Sequence, residues 1–102
     1  MCAVQNKVKA LLRKTMPLAR RALGEEHRIT LKMRWIYAQS LYMDDGATLG
    51  DLREAVTTLE EAERMARRVF GGANPLATKV ESDLLVSRAA LRAREESPGG
   101  AA

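Results

Sequence analysis

A seven-residue segment that returns after 47 residues constrains this chain more than any other feature. Leu18-Ala19-Arg20-Arg21-Ala22-Leu23-Gly24 is restated as Met65-Ala66-Arg67-Arg68-Val69-Phe70-Gly71. The register then continues without a gap, placing Ile29 on Leu76, Met33 on Val80 and Tyr37 on Leu84. Self-similarity at a period of roughly 20–50 residues marks stacked supersecondary units. The repeated stretches carry helical apolar spacing, so the unit is a pair of helices. The expectation is an all-α chain of about four helices, arranged as antiparallel helix hairpins in an α-solenoid.

Apolar periodicity predicts helices at about 4–22, 28–43, 49–70 and 75–94 within one domain spanning residues 1–96. In the first, Val4, Val8, Leu11, Leu12, Thr15, Ala19 and Ala22 are read as the buried side. Pro17 inside it predicts a kink or break, because proline removes a donor and crowds the preceding turn. The second carries two apolar stripes. One is Ile29, Met33, Ile36, Tyr37 and Leu41; the other is Leu31, Trp35, Ala38 and Tyr42. Two stripes require neighbours on two sides. Thr48 with Asp51 resembles a capping box opening the third helix. Asn74-Pro75 opens the fourth as N-cap and first helical residue. Gly24 and Gly71-Gly72 end the first and third helices. The predicted core is Leu12, Ala19, Met33, Tyr37, Leu41, Leu52, Val56, Leu59, Ala66, Leu76, Val80 and Leu84. Residues 97–102 have nothing to bury and read as a disordered tail.

The order of these residues resembles the tetratricopeptide repeat, in the longer variety of kinesin light chains. The matching residues are Ala22-Leu23-Gly24-Glu25-Glu26-His27, Thr30-Leu31, Ala38, Leu41-Tyr42, Gly46 and Glu54-Ala55. The next unit supplies Ala62, Ala66, Phe70-Gly71 and Asn74-Pro75. Arg28 stands where the family usually has proline, and Trp35 and Ile36 lie where it carries paired asparagines. The segment around residues 46–50 lengthens the turn between the second and third helices. The resemblance implies a non-enzymatic protein-interaction module or scaffold, binding a peptide or helix on a concave face. The side chains it nominates for that face are Lys32, Trp35, Gln39 and Tyr42 on the second helix, and Lys79, Ser82 and Val86 on the fourth. Packing of Trp35 and Tyr42 against helices one and four is the alternative. The chain holds one full helix pair flanked by two half-units, so it reads as a piece of a longer array or a minimal four-helix domain.

Other chemistry finds little to work with. The lone cysteine, Cys2, excludes an intramolecular disulfide and a cysteine zinc site; it reads as an exposed thiol near a frayed end. The lone histidine, His27, reads as a turn or helix-start residue. With no glycine-rich phosphate loop, metal-ligand cluster or nucleophile–base pair, the sequence predicts no enzyme, cofactor or metal. No apolar run approaches the ~18 residues of a membrane span. No apolar leader with a small-residue cleavage site opens the chain, so the expected location is cytoplasmic. Net charge is +4, yet residues 1–24 carry six bases and no acid. Lys7, Lys9, Arg13, Lys14, Arg20 and Arg21 make nucleic-acid binding the alternative function. No aromatic residue interleaves them for base stacking, so the sequence favours a protein partner, with self-association through the open ends as a further possibility.

Overall fold

The computed structural model describes residues 2–44 and 46–96, with side chains from residue 7 onward. The tail at 97–102 and the Cys2 thiol, both read from sequence, lie outside the described side chains. Four α-helices follow in order: α1 (Cys2–Leu23), α2 (Arg28–Tyr42), α3 (Leu49–Phe70) and α4 (Pro75–Glu96). Among the described residues there is no strand.

The helix boundaries are set by local chemistry. Gly24 and Gly71 stand at the same place in the 47-residue register, and both take a positive φ, 90° and 91°. That conformation is open to glycine at no steric cost. It returns the Gly24 and Gly71 N–H groups to the Arg20 and Arg67 carbonyls, each at 2.9 Å. Three residues later the two turns match again, the His27 and Asn74 N–H groups donating to the Gly24 and Gly71 carbonyls. The same two residues then cap the next helix. His27 Nδ1 accepts from the Ile29 N–H at 3.1 Å, and Asn74 Oδ1 accepts from the Leu76 N–H at 2.9 Å. The sequence repeat is therefore also a repeat of turn geometry. At α3, Thr48 and Asp51 exchange side-chain and backbone bonds at 3.0 and 3.1 Å, completing the capping box.

Packing follows chain order. α1 lies on α2, α2 on α3 and α3 on α4, while α2 also touches α4. Among the described residues α1 and α4 make no extended contact. The result is elongated, 44 × 28 × 18 Å. α2 touches all three other helices, and α3 carries one continuous buried face of Leu52, Ala55, Val56, Leu59, Ala62 and Ala66. Leu31, Leu41, Leu59 and Val80 are fully enclosed, each contributing about 1.5–3 kcal/mol relative to exposure.

Several expectations need correction. α1 runs unbroken through Pro17; Pro17 is exposed, so water can reach the carbonyl that its missing N–H leaves unpaired. The buried line of α1 is Leu12 and Met16, with Val8 half-buried. Leu11 and Ala22, placed on that line by the sequence, face outward. Ala19 and Met33 are half-buried rather than enclosed. On α2, Ile29 and Ile36 are 51% and 42% exposed, whereas Leu31 and Ala38 are fully buried. Ile36 is the register equivalent of Asp83, through which α4 is tied to α2. Among the described residues no helix stands before α1 to cover that position, as α2 covers Asp83. Three polar residues, Thr30, Arg34 and Ser40, take buried places on α2 as well.

Candidate functional site

Two side-chain constellations stand out, one on each side of α2. The first joins α2 to α4. Trp35, Gln39 and Tyr42 lie three and four residues apart, so they fall on one face of α2. Opposite them, one turn apart on α4, are Lys79 and Asp83. The Asp83 carboxylate accepts from Trp35 Nε1 and, at 2.8 Å, from Gln39 Nε2. Burial pushes the Tyr42 phenol well above its ordinary range, and Asp83 adds to the rise through its charge and a hydrogen bond. The Lys79 ammonium sits 5.9 Å from the centre of the Trp35 ring, within cation–π range. Asp83 thus gathers the Trp35 and Gln39 donors beside Tyr42, and the cluster clamps α4 to α2.

Four of the seven residues nominated from the sequence meet here: Trp35, Gln39, Tyr42 and Lys79. Trp35, Gln39 and Tyr42 are half-buried, and Trp35 and Tyr42 both turn toward α4. Lys32, Ser82 and Val86 are exposed and stand outside the hydrogen-bonded cluster. Lys32 and Lys79 differ by the 47-residue period, so they occupy equivalent places on successive units. Sequence reasoning missed Asp83. Its one available signal is the register: it falls on Ile36, an acid replacing an apolar residue at a repeat-equivalent position.

The second constellation is centred on Arg34, between α2, α3 and the turn before α2. Its side chain is almost wholly enclosed and bonds Glu61 at 2.5 Å and Glu25 at 3.4 Å. The Arg34 Nε is buried with no partner. Glu25, Glu26, Arg34, Glu61, Arg64 and Arg68 line a cleft of about 420 Å³. Arg68 pairs with Glu26 at 2.5 Å, so the acids and bases of this cleft largely neutralise one another. Nearby on α2, the Tyr37 hydroxyl donates to Glu54 at 2.6 Å and accepts from Arg13 Nε at 3.1 Å. Burial and the bond to Glu54 raise the Tyr37 pKa, while its bond to Tyr37 raises that of Arg13.

Among the described residues no group of three or more histidine, cysteine or acidic side chains is placed to hold a metal. No described helix is long and apolar enough to cross a membrane. His27 spends its Nδ1 on the α2 cap. No protein-family model, curated protein or solved structure matches this chain.

Proposed function

We propose that this chain is a protein-interaction module of the tetratricopeptide type, binding an extended peptide or helix along the face shared by α2 and α4. The observation that carries the reading is the repeated turn geometry at residues 24–29 and 71–76. The turns that join α1 to α2 and α3 to α4 share one geometry, which is how a solenoid propagates. Sequential packing of the helices and the elongated shape support it as well. On such a face Lys32 and Lys79 form a two-step basic ladder, each lysine exposed. The chemistry that fits is a peptide bearing acidic groups at matching intervals. The clamp on Asp83 gives the face rigidity, which lowers the ordering cost of binding.

Trp35, the only tryptophan, supplies the assay. Peptides selected from a display library are titrated while its fluorescence is followed. The expectation is that selected peptides are acidic, perturb Trp35, and bind roughly tenfold more weakly to Lys32→Glu or Lys79→Glu. Peptides whose binding is indifferent to both substitutions would overturn the assignment of this face.

A further inference from the structure

Six of the large exposed apolar side chains lie on the first two helices and the last. Leu11 and Leu18 on α1 are 61% and 57% exposed, and Ile29 and Ile36 on α2 lie open beside them. At the other end, α4 exposes Leu85 and Val86 at 62% and 54%. The 47-residue register says what each end lacks. α4 is equivalent to α2, but α2 is covered by α3, and nothing among the described residues follows α4. The enclosed Ala38 on α2 corresponds to the open Leu85 on α4. In the same way α1 is equivalent to α3, but α3 has α2 before it. The half-buried Met65 on α3 corresponds to the open Leu18 on α1.

We infer that a second copy of this chain docks head to tail, its α1 and α2 against α4 of the first, repeating the internal α2–α3 and α2–α4 contacts one unit further on. Transferring the internal contacts through the register tests this for chemical sense. The Arg34–Glu61 ion pair between α2 and α3 becomes Glu81 on α4 facing Lys14 of the second copy. Both signs reverse and the attraction is kept. The Gln39–Asp83 hydrogen bond between α2 and α4 becomes Val86 facing Ile36 of the second copy. Both partners become apolar together. Leu85, one turn beyond Glu81, falls beside Leu11 of the second copy, as Ala38 lies one turn beyond Arg34 on the α2–α3 seam. Glu81 is half-exposed and already shares its carboxylate with Arg67 at 3.1 Å, much as Arg34 serves two acids.

Charge also selects this arrangement over a symmetric contact between two α1 faces. α1 carries six bases and no acid, so two α1 faces repel, whereas Glu81 on α4 offers an opposite charge. A head-to-tail contact does not close on itself and leaves a free end at each step, so assembly grows with concentration rather than stopping at two. Val86 stands two turns from Lys79 and Ile36 one turn from Lys32, so the patches border the α2–α4 face, but Lys14, Glu81 and Leu85 take no part in the peptide-binding reading and assembly is measured without peptide. The inference therefore goes beyond the peptide-binding reading, and either can fail alone.

Sedimentation over a ~100-fold concentration range reads the assembly directly. The wild-type mass is expected to rise beyond that of a dimer. Leu85→Glu, at an exposed site that the fold does not need, is expected to remain monomeric with unchanged helix content. Lys14→Glu and Glu81→Lys are each expected to weaken association roughly tenfold. The decisive sample is an equimolar mixture of those two variants. When the two chains alternate, the lysine introduced by Glu81→Lys meets the glutamate introduced by Lys14→Glu. At the next junction the native Glu81 meets the native Lys14, so every junction regains an opposite pair. The mixture is therefore expected to assemble as wild type does. A wild-type chain that stays monomeric at the highest concentration overturns the proposal. So does a dimer indifferent to the single charge reversals, or a mixture no stronger than its components.

Discussion

Arg34 offers the most informative perturbation, because its guanidinium is buried between helices and only partly satisfied. The side chain is 4% exposed, while those of Glu61 and Glu25 are 47% and 55% exposed. Removing one partner of a fully buried ion pair costs about 3–5 kcal/mol, since a charge is left uncompensated. Glu61 is half in water, and Glu25 remains within 3.4 Å of Arg34 when Glu61 is gone. Those two facts reduce the expected cost of Glu61→Gln to about 1–3 kcal/mol. Glu25→Gln, at the longer and wetter contact, should cost less than about 1 kcal/mol. Arg34→Met removes the charge and the unpartnered Nε together and keeps most of the volume. It should fall within about 1 kcal/mol of wild type, because an apolar replacement of a buried ion pair is often neutral or stabilising. Urea unfolding followed by far-UV circular dichroism measures all three. If Arg34→Met proved costlier than Glu61→Gln, the guanidinium would be contributing net stability, and the reasoning from desolvation would be refuted.

The remaining predictions concern the core, the first helix and pH. Leu59→Ala, at a fully enclosed site in the middle of α3, should cost about 2–5 kcal/mol in the same urea experiment; a loss under about 1 kcal/mol would mean that the α3 layer is not the core. Deleting residues 1–22 strips Leu12 and Met16 from α2 and removes the Arg13 partner of Tyr37. The shortened chain should unfold at a distinctly lower urea concentration, and an unchanged midpoint would show that α1 is not structural. Tyr37 and Tyr42 both have pKa values raised above the ordinary 10.0, so the folded state holds their protons more tightly than the unfolded one. Their contribution is complete below about pH 10 and is lost as pH rises through the folded values. Tyr42→Phe should flatten the fall in stability above about pH 10, and an unaltered slope would show that the Tyr42 environment has been misread.

What a helix does with its own first and last turns was legible in the sequence alone. The capping box at Thr48, the Asn74-Pro75 start and the glycine ends at Gly24 and Gly71 each involve groups within about four residues. The central stripe of α3 was legible for a related reason: its apolar residues form one band, so only one face can turn inward. Ten of the twelve residues named as core, from Leu12 to Leu84, are enclosed. α2 was different. Its two stripes compete, and no local rule says which one meets a neighbour. Tertiary packing buried Leu31 and Ala38 and left Ile29 and Ile36 open, because α1, α3 and α4 cover α2 elsewhere and no described helix covers the side that bears Ile29 and Ile36. The same packing enclosed Arg34, which the apolar pattern leaves unplaced, by bringing Glu25 and Glu61 to it from nine and 27 residues away. It also made one cluster of Asp83 with Trp35, Gln39 and Tyr42 across more than 40 residues of chain. Local chemistry determines where helices begin and end; which of their faces find partners depends on contacts whose strength exists only once the helices are side by side.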